Sequence, residues 1–235
     1  MNLAFKYFDK ALTLITILAG ILLLLKIFLF QQVNVIGQSM EPNFYQGQKL
    51  LLNKSVTKLE RAEVVSVYET LDMAANSNVL TKTFPSLSGK PIKFLLKRVV
   101  GLPGEDIQII GSKVIIYNAS YPKGQIIQEN YLSSDVIAQM DKGCAGYGIY
   151  YKRTHIPDHH YFLMGDNRCN SLDSRDSYHG PFDQSLLLGQ VIYRYWPYDV
   201  HQNIAIGDYT TRSIDPATAL QLNEKETQES STSAQ

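Results

Sequence analysis

A chain of 235 residues with 45% hydrophobic content is long enough to bury one good-sized core with a small appended subdomain. Its 22 Lys and Arg balance its 22 Asp and Glu, and no basic block follows residue 30, which argues against nucleic acid as a partner. The five His and two Cys are not set at metal-ligand intervals, so no zinc-type site is read.

Residues 1–10, which include Lys6 and Lys10, precede an apolar run from Ala11 to Phe30 whose one charge is Lys26. Twenty helical residues cover about 30 Å, the thickness of a bilayer core, so 11–30 reads as a transmembrane helix. Lys26 lies one turn from its end, where the stem reaches the headgroups. Lys6 and Lys10 favour a cytoplasmic N-terminus, an asymmetry that Lys26 weakens. The alternative, a cleaved secretory signal, fits less well: the run is long, and no small-X-small site follows between Gln31 and Gln38.

Beyond the anchor, short apolar runs alternate with polar or Gly/Pro punctuation. Lys49–Asn53, Val64–Tyr68, Ile92–Val100, Ile107–Ile110, Lys113–Tyr117, His160–Met164 and Gly189–Trp196 read as strands. Gly111-Ser112 between two of them predicts a two-residue type II′ hairpin turn. No helical stripe of useful length stands between residues 40 and 200. The expectation is therefore a mainly β protein: an antiparallel folded sheet or barrel over 31–214, behind one N-terminal transmembrane helix. Residues 72–90 read as a long loop, about 121–151 as a small insertion, and 215–235 as a disordered tail of Glu, Gln, Ser and Thr. Cys144 and Cys169 suit one disulfide in an oxidising compartment; two free thiols fit the sequence equally.

Three segments carry chemistry. Ser39 follows the apolar run by nine residues, at most roughly 30 Å of extended chain, and so acts close to lipid. Lys97 lies in Phe94-Leu-Leu-Lys-Arg-Val-Val100, where alternation puts Leu95, Lys97 and Val99 on one face and Leu96, Arg98 and Val100 on the other. One of the two cations must approach a buried face, where a Lys amine is driven toward neutrality and can serve as a base for a Ser hydroxyl. An edge strand with both cations solvated is the plainer reading of the heptapeptide alone. The third segment, Gly165 to Arg175, packs two Arg, two Asp and two Ser into eleven residues; it reads as an ordered loop whose Ser hydroxyl orients the amine.

Gly37-Gln-Ser-Met-Glu-Pro42, Lys97-Arg-Val-Val-Gly-Leu-Pro-Gly-Glu105 and the Gly165–Arg175 loop occur in the order found in the type I signal peptidases, and the chain resembles that family. Its members are membrane-bound Ser/Lys endopeptidases that remove signal peptides from exported proteins. With the anchor, the resemblance spans residues 11 to 197. It implies Ser39 as nucleophile, Lys97 as general base and Ser171 as the hydroxyl that positions the amine. It implies an ion pair between Asp173 and Arg175, with Asp166 and Arg168 bracing the loop. Met40, Phe44 and Leu95 would line shallow apolar pockets for small side chains at the first and third positions before the cut.

The same resemblance implies preproteins bearing signal peptides and membrane lipid as partners, and neither metal nor organic cofactor. It implies a single-pass protein of the cell (inner or plasma) membrane, with the N-terminus cytoplasmic and the β domain extracytoplasmic. The chain also departs from the family pattern. Gly37 stands where some members carry a Ser donor to the oxyanion hole, which would leave the hole to backbone N–H groups, chiefly that of Ser39. Asn43 replaces a usual Thr, Gly47-Gln48 a usual Gly-Asp, and four residues rather than two separate Arg175 from Gly180. A peptidase dedicated to pilin-like or conjugation proteins, a self-cleaving repressor-type Ser/Lys protein and an inactive anchored peptide binder are the alternatives; the anchor speaks against the second.

Overall fold

The computed structural model describes residues 3–69, 93–144, 150–197, 202–203, 209–214, 218, 221–222 and 224. The expected loop at 72–90 lies outside them, as does most of the expected tail. Helix α1, Leu3–Leu29, begins earlier than the apolar run, and its stretch Tyr7–Leu29 is long and apolar enough to cross a membrane. Thr13 and Thr16 give their hydroxyl protons back to the carbonyls of Asp9 and Leu12, both at 2.9 Å, so neither hydroxyl is left unsatisfied on the apolar helix.

The chain passes from α1 into β1 (Phe30–Asn34) without a linker. There follow β2 (Lys49–Asn53), β3 (Val64–Tyr68), β4 (Phe94–Gly101), β5 (Asp106–Ile110), β6 (Lys113–Asn118), β7 (Tyr121–Glu129), helix α2 (Ser134–Lys142), β8 (Tyr150–His155), β9 (His160–Met164), β10 (Phe182–Asp183), β11 (Leu187–Trp196), β12 (Gln202–Asn203) and β13 (Tyr209–Ser213). One antiparallel sheet runs β1-β2-β11-β3-β4-β9-β10, with β12 against β11; the other runs β13-β7-β6-β5-β8. This is the folded-sheet form of the expected β architecture.

Period-two alternation lets β4 and β9 serve two cores at once. Val99 and Leu163 face a core built on Leu50, Leu52, Val65 and Val191, while their neighbours Val100, Phe162 and Met164 face the second sheet through Ile107, Val114 and Ile116. The opposite face of that sheet, Ile115 and Ile126, is covered by Leu222 from the described part of the C-terminal segment. Gly111 adopts φ 56° at the β5–β6 turn, as a type II′ hairpin needs at its first central residue.

Two expectations are corrected. Helix α2 does lie between residues 40 and 200; Ser133 caps it by accepting from the Val136 N–H, and its buried contacts are Val136 and Met140, one turn apart. Two buried apolar residues in nine make too short a stripe to read. The segment 121–151 is more than an insertion, because β7 and the start of β8 are ladder members of the second sheet.

Candidate active site

Ser39 sits on the loop 36–46 between β1 and β2, closed at its base by Val35 N–H to Gln48 O (2.8 Å) and Gly47 N–H to Val35 O (2.9 Å). Gly37 takes φ 84°, a left-handed turn that a side chain there would strain. The Phe44 N–H donates to Met40 O at 2.9 Å, and this single helical turn drives both side chains inward. Met40 and Phe44 are 1% and 3% exposed, so in this structure they form a floor beneath the site rather than a pocket surface. Leu95 is partly buried against the same core and does reach the surface.

Strand β4 delivers both of its cations to buried positions, on opposite faces. The Lys97 side chain turns toward the loop and its Nζ donates to Ser39 Oγ at 2.9 Å, with the residue 2% exposed. Burial pushes this amine down to about 8; the Asp173 carboxylate pulls it back up, the Arg175 guanidinium lowers it again, and Asp166 raises it. On the other face Arg98 grips Asp166 bidentately, Nε to Oδ1 at 2.8 Å and Nη2 to Oδ2 at 2.5 Å, and lies 4.0 Å above the Tyr131 ring. Burial disfavours the Arg98 charge, yet the Asp166 carboxylate outweighs it and raises the guanidinium's pKa.

The loop 165–175 holds the Ser39 backbone. Asn167 donates its N–H to Ser39 O at 3.0 Å and its Nδ2 to Gln38 O at 3.1 Å. Gly165 touches the same carbonyl so closely that a Cβ there would stand 2.4 Å from Ser39 O and 2.2 Å from Ser171 Oγ. Asp173 accepts from Gly165 N–H at 3.0 Å and pairs with Arg175 through two contacts of 2.9 Å. Burial pushes the Asp173 carboxyl up, but Arg175 overcomes this and holds it below its ordinary range.

The other two charged residues of the loop find partners outside it: Asp166 on Arg98, and fully buried Arg168 on Glu129 at the end of β7, with Nη1 to Oε2 at 2.6 Å and Nη2 to Oε1. Cys169 is bonded to Cys144 beyond α2, which closes the choice that the sequence left open.

Ser171 departs from expectation. Its buried hydroxyl does not bind Lys97, whose amine meets Ser39 instead; it lies near enough to Asp173 to favour that carboxylate's charge, yet outside hydrogen-bond geometry. Arg98, Asn43, Glu129, Tyr131 and Asn167 were given no role in the site from sequence. An Arg beside a buried Lys signals a hidden carboxylate, but its identity appears only through the fold.

The chain is similar to signal peptidase I T of Bacillus subtilis (strain 168), 28% identical over 194 residues that cover 81% of this chain and 84% of that protein. It is also similar to a signal peptidase I of Bacillus amyloliquefaciens, 29% identical over 188 residues, 78% of this chain and 83% of that protein. The crystal structure of a signal peptidase I from Enterococcus faecalis V583 covers 58% of this chain and 98% of its own, at 22% identity and a TM-score of 0.33. Residues 8–196 match the family described as signal peptidase, peptidase S26. That stretch holds the apolar helix, the Ser39 loop, β4 and the loop 165–175 together, and the chain belongs to this family.

Proposed function

We propose that the chain is a signal peptidase I in which Ser39 and Lys97 form the catalytic dyad, and that it cleaves preproteins beside the membrane. The observation that carries the reading is the 2.9 Å contact between a buried amine and a half-buried hydroxyl. With its pKa near 8, a useful fraction of Lys97 is neutral at pH 7 to 8 and accepts the Ser39 proton as Oγ attacks the scissile carbonyl. The same amine then returns the proton to the leaving nitrogen, and afterwards activates the water that hydrolyses the acyl-enzyme. Among the described residues nothing accepts from the Ser39 N–H, which leaves it for the developing oxyanion. Unpaired Ser171 Oγ is suited to receive the Lys97 amine once Ser39 has been acylated.

Substrate has an edge to join. Strand β4 pairs with β9 only from Arg98 onward, so among the described residues the Phe94–Lys97 stretch has β3 on one side and an open edge on the other. An extended peptide added there runs past Leu95 to Ser39, with Met40 and Phe44 supporting the surface from below. Lys6 and Lys10 support a cytoplasmic N-terminus and an extracytoplasmic site. The test is incubation of the detergent-solubilised protein with a preprotein: the wild type yields a shortened product, while folded Ser39→Ala and Lys97→Ala each yield none. Cleavage by either variant overturns the dyad; capture without cleavage by the wild type makes the protein a binder.

A further inference from the structure

We infer that Asn43 is a positioning residue for the Ser39 hydroxyl, an inference that rests on the dyad reading above. Its side-chain amide bridges two elements: Nδ2 donates to Asp166 Oδ2 at 2.8 Å and to the Tyr131 carbonyl at 2.9 Å. Its own carbonyl accepts from Arg194 Nη1 at 2.8 Å. Asp166 is no ordinary acceptor, because its chain neighbours Gly165 and Asn167 are the residues that touch the Ser39 carbonyl. The nucleophile's turn is thus tied to the loop 165–175 at both ends, by Asn167 at Gln38 and Ser39 and by Asp166 at Asn43. A turn tied at one end can pivot about that tie. Tied at both, it holds Oγ against Nζ. Arg98, the other partner of Asp166, adjoins Lys97 on β4, so one carboxylate sets the turn and the base strand against each other.

The residue type fits this task. A carboxamide offers two donor hydrogens from one planar group, whereas a Thr hydroxyl offers one, so Asn alone serves both Asp166 and the Tyr131 carbonyl. The departure from the usual Thr therefore recruits the β7–α2 connection to the support of the nucleophile.

The test uses the full-length protein in detergent and compares kcat, KM and the folded fraction on a preprotein. Asn43→Ala is expected to lower kcat per folded molecule about tenfold or more, with KM within about twofold, as a misaligned nucleophile should. Asn43→Thr keeps a donor for Asp166 and is expected to recover most of that loss. Asn43→Asp sets a second carboxyl against Asp166, with Arg98 and Arg194 as the nearby cations. Its activity relative to wild type is expected to rise as pH falls, since a protonated carboxyl donates where an ionised one repels.

A residue needed only for folding lowers the folded fraction and leaves kcat per folded molecule and the pH ratio unchanged; that result overturns the inference. If Asn43→Ala does not fold, the pH ratio for Asn43→Asp decides. Cleavage by Ser39→Ala overturns the dyad instead, so the two failures are told apart.

Discussion

The Lys97 amine occupies a site that opposes its own charge, and that opposition has a pH signature. A folded value of about 8 against the ordinary 10.5 means the native state gives up this proton more readily than the unfolded chain. The gap corresponds to about 3 kcal/mol of destabilisation, fully present below pH 8 and relieved as pH rises toward 10.5. Replacing the ammonium by an apolar chain of similar length removes the penalty. Folded Lys97→Met is therefore expected to be inactive yet more stable than wild type in chemical denaturation at pH 7, with the difference shrinking as pH climbs through 8 to 10. A constant difference across that range contradicts the buried-cation account. For the wild type, kcat/KM should rise with a midpoint near pH 8 and level off above it; a midpoint near 10 would mean that the amine acting as base is solvated, against the burial seen here.

At the scale of elements, the Arg168–Glu129 pair joins the loop that holds Ser39 to the last residue of β7, and so ties one sheet to the other. Both side chains are almost wholly buried, so removing either partner leaves an uncompensated charge. Glu129→Leu alone is expected to destabilise by about 3–5 kcal/mol, whereas Glu129→Leu with Arg168→Met together should restore most of the loss, measured by denaturant unfolding. Additive losses would mean that each residue matters separately. The Cys144–Cys169 bond works beside this pair, closing 25 residues of separation and contributing roughly 3 kcal/mol through the unfolded chain.

These ties also mark where sequence reading ran out. Lys49–Asn53, Val64–Tyr68 and His160–Met164 were legible to the residue, because each is an apolar run bounded by polar residues. Strand β7 was hidden by Pro122 and Gly124, which fall where its ladder with β6 is interrupted between Ile116 and Asn118. Strand β1 is mostly polar and exists because β2 pairs with it. In the site, Ser39 and Lys97 were singled out by the family resemblance rather than by their local setting, and the structure brings the two side chains to 2.9 Å. Asp166 with Arg98, 68 residues apart, and Arg168 with Glu129, 39 apart, are pairings that only the fold makes.

The whole molecule is organised by the direct passage from α1 into β1. Leu29 is the last helical residue and Phe30 the first of the sheet, while the Lys54 N–H donates to Leu29 O at 2.8 Å. The hydrogen bonding of the sheet thus begins on the final turn of the helix, and the domain is not left swinging on a tether. This junction keeps the Ser39 loop within a few strand residues of the helix end, where, on the proposed function, a signal segment would present its cleavage site. Ten Gly/Ser residues inserted between Leu29 and Phe30 remove that constraint while leaving Ser39, Lys97 and both sheets intact. The chemistry on a short soluble peptide should be unchanged, since Ser39, Lys97 and the residues around them lie beyond the insertion. Cleavage of a preprotein in vesicles should fall, because a flexible linker enlarges the volume the site explores and dilutes it at the membrane surface. Comparing kcat/KM on the two substrates checks this: equal rates on both for the insertion variant and the wild type would mean that the anchor tethers the domain but does not aim it.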